Sequence, residues 1–341
     1  MKAVVVHAAG DLRVDDIPDP TCGPDEVLVS MEWGGVCGSD VAYVRSGTSG
    51  TAVLRDPLVL GHEVAGTVAE VGARVTGVQV GDRVTVHPAT PVGNFDVPEE
   101  VAHRTNLWPQ VRYFGSAAFH PHEQGGFSRL RAVRPDQLRL LPAGVSTKEG
   151  ALAEPFGVAL HAVNRAGDIA GRSVLVNGAG PIGVLAVAAA KAKGATTVYA
   201  SDLSEAALGI AAAMGADRVV RVAGGEALPT DVDVAIEASG APGALGGVIS
   251  AVRRGGTLVQ VGNLPGGEIN AVLGNIVTRE IDFKGSYRFV DEISEAVALM
   301  DGTVDVSPLM THEYPLEDAL EAFAVAGDRS TGSSKVMLKL S

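Results

Sequence analysis

Two short runs of this 341-residue sequence hold side chains that could do chemistry together. Cys37-Gly-Ser39-Asp40 is followed, 25 residues after the cysteine, by His62 in Gly61-His62-Glu63. A thiolate and an imidazole suit zinc, and a carboxylate can complete or loosen the shell of a catalytic ion. Taken alone, a cysteine and a distant histidine are more often structural than metal-binding. The spacing opens the metal reading without carrying it.

A third run addresses a nucleotide. Gly178-Ala-Gly180-Pro181-Ile182-Gly183 is a GxGxxG set between an apolar strand pattern and an Ala-rich helix pattern. Gly178 allows a tight turn, Gly180 lets the backbone approach a pyrophosphate, and Gly183 permits close helix–strand packing. The helix start then offers free N–H groups and a favourable dipole to phosphates. Asp202 stands 24 residues after Gly178, at the end of the next apolar run. A carboxylate there accepts adenosine ribose hydroxyls and repels a 2′-phosphate, so NAD is expected over NADP. Arg221 and the pair Arg253-Arg254 are cations that could lie near the adenosine end.

The elements that must position these groups follow from residue patterning. Val4–His7, Val27–Glu32, Gly66–Val71 and Asp82–His87 are short Val-rich runs broken by Gly, Pro and Asp, which predicts a β-rich domain. Residues 88–128 are polar and weakly periodic, a long surface lobe. From about Gly150 strands alternate with helices: Ser173–Asn177, Val198–Ser201, Val219–Val222, Val232–Glu237, Thr257–Val261 and Asp282–Ser286 as strands, Pro181–Lys193 and Ser204–Met214 as helices, with Ser204 as N-cap. That alternation means a parallel, doubly wound (Rossmann) sheet. An amphipathic helix after Asp291, another near Leu316–Val325 and a strand at Lys335–Leu340 complete the chain. The expected division is 1–150, completed by 288–341, and 151–287.

Composition narrows the function. A 46% hydrophobic content supports real cores, and 40 acidic against 27 basic residues give a formal charge of −13. That charge argues against a nucleic-acid partner. No apolar run reaches the length of a membrane span, and the first residues lack a secretory cleavage pattern. With only Cys22 and Cys37 there is no disulfide framework, and a reducing cytoplasm is the expected compartment.

The metal reading gains its weight from resemblance. Gly34-Gly-Val-Cys37-Gly-Ser39-Asp40, Gly61-His62-Glu63-Val64-Ala65-Gly66 with Gly72, Val80-Gly81-Asp82-Arg83-Val84, Ala153-Glu154-Pro155, the Gly178–Gly183 run and Val261-Gly262 together resemble the zinc-dependent medium-chain alcohol and polyol dehydrogenases along nearly the whole chain. The resemblance implies a GroES-like β-rich catalytic domain beside the Rossmann domain, an α/β protein. It implies that Cys37 and His62 ligate catalytic zinc, with Glu63 or Glu154 as the third ligand, and that Ser39 starts a proton relay. Pro181, Ile182, Val261 and Gly262 join the glycines and Asp202 in holding NAD.

Arg112-Tyr-Phe-Gly115-Ser116, Pro121-His122, Gly125-Gly126-Phe127 and Gly285-Ser286-Tyr287-Arg288-Phe289 are similar to the polyol branch that includes sorbitol and L-idonate 5-dehydrogenases. The implied reaction is NAD-linked oxidation of a secondary alcohol of a sugar acid or polyol. L-idonate leads, and sorbitol, xylitol, galactitol and threonine are alternatives. Other readings are a zinc-free reductase of the same superfamily and a non-catalytic nucleotide-binding protein. Tyr43, Phe119, His122 and Arg288 are the expected substrate contacts, Arg288 as partner of a carboxylate.

One departure stands out. Most relatives carry four cysteines in the lobe, whereas residues 88–128 contain none. A four-cysteine zinc site cannot form there, so one zinc per subunit is expected. Val92, Phe95, Trp108 and Phe114 are then expected to hold the lobe by apolar packing. The apolar segment Val272–Val277 suggests a subunit contact in a homo-tetramer or homo-dimer.

Overall fold

The computed structural model describes residues 1–93 and 96–341. The chain forms two units, Met1–Glu154 with Met310–Ser341, and Pro155–Leu309.

The first unit is built on a seven-stranded sheet. Its main path runs Leu138–Leu140, Arg83–Val86, Glu63–Val71, Val27–Gly35, Lys335–Lys339 and Met310–Pro315, and Leu130–Val133 also pairs with Val27–Gly35. Val27, Val29 and Met31 are fully buried along one face of the central strand, as expected for period-two burial. They join Val64, Val68, Val84 and Leu338 in one apolar core. The C-terminal strand returns antiparallel to the central one, with Leu338 opposite Gly34 and Met337 opposite Gly35. A second sheet places Asp11–Asp16, Lys2–Ala8 and Leu58–Val59 side by side.

The second unit is a parallel sheet in the order Arg218–Arg221, Thr197–Asp202, Ser173–Asn177, Val232–Glu237, Val252–Gln260, Asp282–Gly285. The strand order reverses beside Ser173–Asn177, which is where such sheets bind ligands. Helix Pro181–Ala192 buries every residue from Gly183 to Ala190; its alanines allow close approach to the sheet. Pro181 sits at the first helical position, where its fixed φ and missing N–H cost nothing. Ser204 caps helix Glu205–Ala213 by accepting from the Ala207 N–H.

Several boundaries differ from expectation. The strand expected to begin at Gly66 begins at Glu63, which puts that carboxylate on regular sheet. The strand expected at Thr257 begins at Val252, where Val252 pairs with Val232 before a register shift. Residues 288–309, assigned above to the first domain, group with the second unit. Helix Glu292–Met300 is drawn there by the Glu292–His161 pair at 2.7 Å and by the close approach of Ile293 to Gly157.

The cysteine-free lobe is held by more than apolar packing. Phe114 is buried, Val92 and Trp108 are half-buried, and Phe95 lies outside the described residues. Glu123 accepts from Arg112 at 3.3 Å and from Arg131 at 3.4 Å. The two guanidinium groups cover the rings of Phe119 and Phe114, each 4.8 Å from the centroid. One carboxylate bridging two stacked arginines is a charged cross-link across the lobe. Val277 of helix Gly274–Thr278 and the preceding Val272 and Leu273 are exposed, while Ile276 packs inward on the second unit's core. Among the described residues no helix is long and apolar enough to cross a membrane.

Candidate active site

In the first unit, Cys37 caps helix Gly38–Ser46 in an extended conformation. The Asp40 side chain in that helix's first turn accepts from the Cys37 N–H at 3.0 Å and from the Gly61 N–H at 3.3 Å. One buried carboxylate thus ties the cysteine loop to the histidine loop. Its Oδ1 also lies 3.7 Å from His62 Nδ1. Burial raises the Asp40 carboxyl above its ordinary range, and the His62 charge opposes that rise. Burial would depress His62, but Asp40 and then Cys37 outweigh it and hold the imidazole well above its usual value.

The donor atoms of Cys37, His62 and Glu63 lie within 4.8 Å of one another. A thiolate, an imidazole and a carboxylate at that spacing match the ligand types and count of a catalytic zinc site that keeps one position open. Both Glu63 oxygens accept from Lys335 Nζ at 2.7 Å, and that ammonium also donates to the Val36 carbonyl at 3.3 Å. Lys335 is buried; desolvation would lower it, and the Glu63 and Cys37 charges raise it instead. Glu154, in the first turn of helix Ala153–Ala166, stands apart from the trio and accepts from the Tyr113 hydroxyl. Burial raises its carboxyl, against the pull of His62. The Tyr113 ring meets His62 edge-on at 5.7 Å.

Sequence reasoning missed Tyr113, Lys335 and the role of Asp40. Asp40 stands three residues after Cys37, the spacing at which a side chain returns to an N-cap N–H, and that spacing is a usable signal. Lys335 carried none, because a lone lysine in a terminal strand reads as surface.

Of the expected substrate contacts, Tyr43 is buried and its hydroxyl accepts from the Ala117 N–H at 2.9 Å. Phe119 is half-buried beneath Arg112. Both His122 nitrogens are engaged by main chain: Nε2 accepts from Arg55 and Asp56 N–H at 2.9 and 3.2 Å, and Nδ1 donates to the Phe119 carbonyl at 2.7 Å. That ring fastens two loops together and has no nitrogen left for a substrate hydroxyl. Ser39 is half-buried beside Cys37. Arg288 belongs to the second unit, has a φ of 50°, and its guanidinium lies 5.0 Å from the Tyr287 ring centroid. A left-handed backbone at an arginine is uncommon, and Asp231 and Glu280 share it in this chain.

In the second unit, Gly178 has a φ of 94°, and a Cβ on Gly183 would stand 1.8 Å from the Gly178 carbonyl oxygen. Above Gly180, by contrast, the space is open, so a pyrophosphate can approach the backbone. Asp202 accepts from the Ala179 N–H at 2.7 Å and from the Ser204 N–H at 2.8 Å, which fixes the carboxylate beside the turn. The N–H groups of Val261 and Gly262 both donate to the Glu237 carbonyl, at 2.9 and 2.8 Å. The buried Glu237 side chain accepts from Asn177, Ser239 and Gly240, and so knits the ends of the central strands. These groups fit a dinucleotide.

Comparisons with known proteins agree with the two halves. Residues 23–143 match the alcohol dehydrogenase GroES-like domain, and residues 181–302 match the zinc-binding dehydrogenase domain. The chain is 39% identical to sorbitol dehydrogenase of Bos taurus over 99% of its own length and 95% of that protein. It is similar to the solved L-idonate 5-dehydrogenase of Escherichia coli, with a TM-score of 0.89 and 34% identity over 99% of this chain and 97% of the other. A protein of Sinorhizobium meliloti solved with NADP bound also has a TM-score of 0.89, at 30% identity over 99% of this chain and 98% of that one.

Proposed function

The chain belongs to the zinc-binding medium-chain dehydrogenases, oxidoreductases acting on CH–OH groups, and from that membership we propose that it oxidises a secondary alcohol of a sugar acid or polyol to the ketone with NAD, L-idonate to 5-keto-gluconate first among the candidates. The observation that carries this reading is the trio of half-buried Cys37 with buried His62 and Glu63, whose donors lie within 4.8 Å of one another. When bound, zinc supplies Lewis acidity that brings an alcohol's ionisation toward neutral pH, and NAD supplies the hydride acceptor.

The chain's own residues then have distinct tasks. Cys37, His62 and Glu63 hold the metal, Asp40 orients the imidazole, and Lys335 balances the buried charge of Glu63. Glu154, restrained by Tyr113, is the second carboxylate within the electrostatic reach of His62. The Ser39 hydroxyl is the first stop for the alcohol's proton. Gly178, Gly180, Gly183 and the start of helix Pro181–Ala192 receive the pyrophosphate, and Asp202 the ribose hydroxyls. Arg288 is the proposed partner of a substrate carboxylate, a role that favours an aldonate over a neutral polyol. The lobe holds no cysteine, so one zinc per chain is proposed. Two free thiols accord with a cytoplasmic location.

A panel of L-idonate, sorbitol, xylitol, galactitol and threonine at fixed NAD, and of 5-keto-gluconate at fixed NADH, with elemental analysis of the same sample, tests the reading. Highest kcat/KM on the idonate pair and about one zinc per chain are expected; two zincs per chain or a preference for threonine would overturn it. We also assign the exposed Val272, Leu273 and Val277 to a homo-oligomer contact, a tetramer ahead of a dimer. Light scattering that returns a 34.8 kDa particle would remove that assignment.

A further inference from the structure

The adenosine end of the nucleotide half carries a pair of side chains that the proposed reaction does not use. Strands Thr197–Asp202 and Arg218–Arg221 are parallel neighbours, and their last residues, Asp202 and Arg221, are register partners. Register partners in a sheet project their side chains from the same face. Both therefore stand at the carboxyl ends of the strands, where a doubly wound sheet receives its ligand. The other two arginines singled out in the sequence are elsewhere. Arg253 lies near the start of strand Val252–Gln260 with its Nε 2.7 Å from Asp233, and Arg254 donates to the Thr278 carbonyl at 2.8 Å.

Arg221 is not loose. Its Nη1 lies 3.1 Å from Oε2 of Glu205, the first residue of helix Glu205–Ala213. Asp202 is occupied by the amides of Ala179 and Ser204, which leaves Glu205 as the carboxylate paired with this guanidinium. A 2′-phosphate on the adenosine ribose is a dianion that needs such a cation. Glu226 adds a third carboxylate, its Oε2 accepting from the Arg221 N–H at 3.1 Å, so Asp202, Glu205 and Glu226 against one guanidinium leave the local balance negative.

We propose that Glu205 is a specificity-determining residue: by pairing with Arg221 it withholds that guanidinium from a 2′-phosphate and so strengthens the choice of NAD over NADP. The inference rests on the proposed use of NAD. Both side chains are substantially exposed, 50% for Arg221 and 80% for Glu205, so the pair is weak and its effect on binding is about three- to tenfold.

Calorimetric titration of the zinc-loaded enzyme with NAD, NADP, 5′-ADP and 2′,5′-ADP tests this without turnover. Glu205→Gln should bind NADP and 2′,5′-ADP about three- to tenfold more tightly than wild type, with NAD and 5′-ADP within about twofold. Adding Arg221→Gln to that variant should erase the gain, which separates a freed guanidinium from the simple loss of a negative charge. An unchanged NADP affinity in Glu205→Gln, or a gain that survives the second substitution, overturns the proposal. Wild type that binds NADP as tightly as NAD would instead defeat the cofactor reading itself.

Discussion

The metal half and the nucleotide half of this protein solve the same problem, presenting polar groups in a partly dry site, by opposite means. In the first unit the work falls to buried charged side chains. Asp40, His62, Glu63, Glu154 and Lys335 are all withdrawn from water, and each is held by another residue of the group or by a close neighbour. In the second unit the proposed nucleotide site is mostly main chain, the Gly178–Gly183 turn and a helix start, with the charges of Asp202, Arg221 and Glu205 at one end of it. A site of buried charges depends on every partner, because an ion left alone in low dielectric is costly. A site made of backbone depends first on steric room, and exposed charges nearby shift its affinity by about tenfold at most. The halves should therefore fail differently.

The largest effect is expected from Cys37→Ala. Turnover should fall well beyond the ~10–100-fold typical of a group that only orients a ligand, and bound zinc should drop toward zero. NAD affinity, measured by fluorescence titration, should stay within about twofold, since the turn and Asp202 lie in the other unit. Retention of most activity would mean that the trio is not the metal site.

Next is Lys335→Met. Removing the ammonium leaves the Glu63 carboxylate buried without its partner, and the cost expected for breaking such a pair is about 3–5 kcal/mol. Urea unfolding should show that loss in chelator and a smaller loss with zinc added, because a metal ion supplies a second cation to the same oxygens. Equal losses in both conditions would show that Glu63 does not face the metal.

Gly183→Ala probes the other half. The added methyl would meet the Gly178 carbonyl at 1.8 Å, so the turn must shift, at about 1–3 kcal/mol. NAD affinity should fall by about ten- to a hundredfold while zinc content is unchanged. The reverse pattern would break the contrast between the halves.

The smallest effect lies at the opposite end of the parallel sheet. The Ser173 N–H, then the Arg253 and Ser173 side chains, lower the Asp233 carboxyl to about 2 against a partial desolvation that raises it. A depressed folded value contributes stability that is present above the unfolded pKa near 3.8 and is lost as pH falls toward about 2. Asp233→Asn should flatten stability against pH in that window. The change should be under about 1 kcal/mol, because solvent reaches the pair. An unaltered acid limb in urea titrations at pH 4.5 and pH 2.5 would remove Asp233 from the account.

The amino-acid sequence by itself determined the parts whose physics is local. Alternating strands and helices from Ser173 onward require a doubly wound sheet. The Gly178–Gly183 spacing requires a tight turn, and a carboxylate after the next strand marks the ribose end, because backbone freedom and strand periodicity are written in neighbouring residues. The Cys37 and His62–Glu63 runs were legible as ligand types, and the resemblance joined them. Tertiary structure alone decided which charges meet. Lys335 reaches Glu63 across 272 residues because the C-terminal strand pairs beside Val27–Gly35, and Tyr113 reaches Glu154 across 41. It also turned His122 toward main chain and moved residues 288–309 into the second unit. Such pairings depend on strand order and register, and a charge in a one-dimensional chain carries no mark of the partner that burial will require it to find.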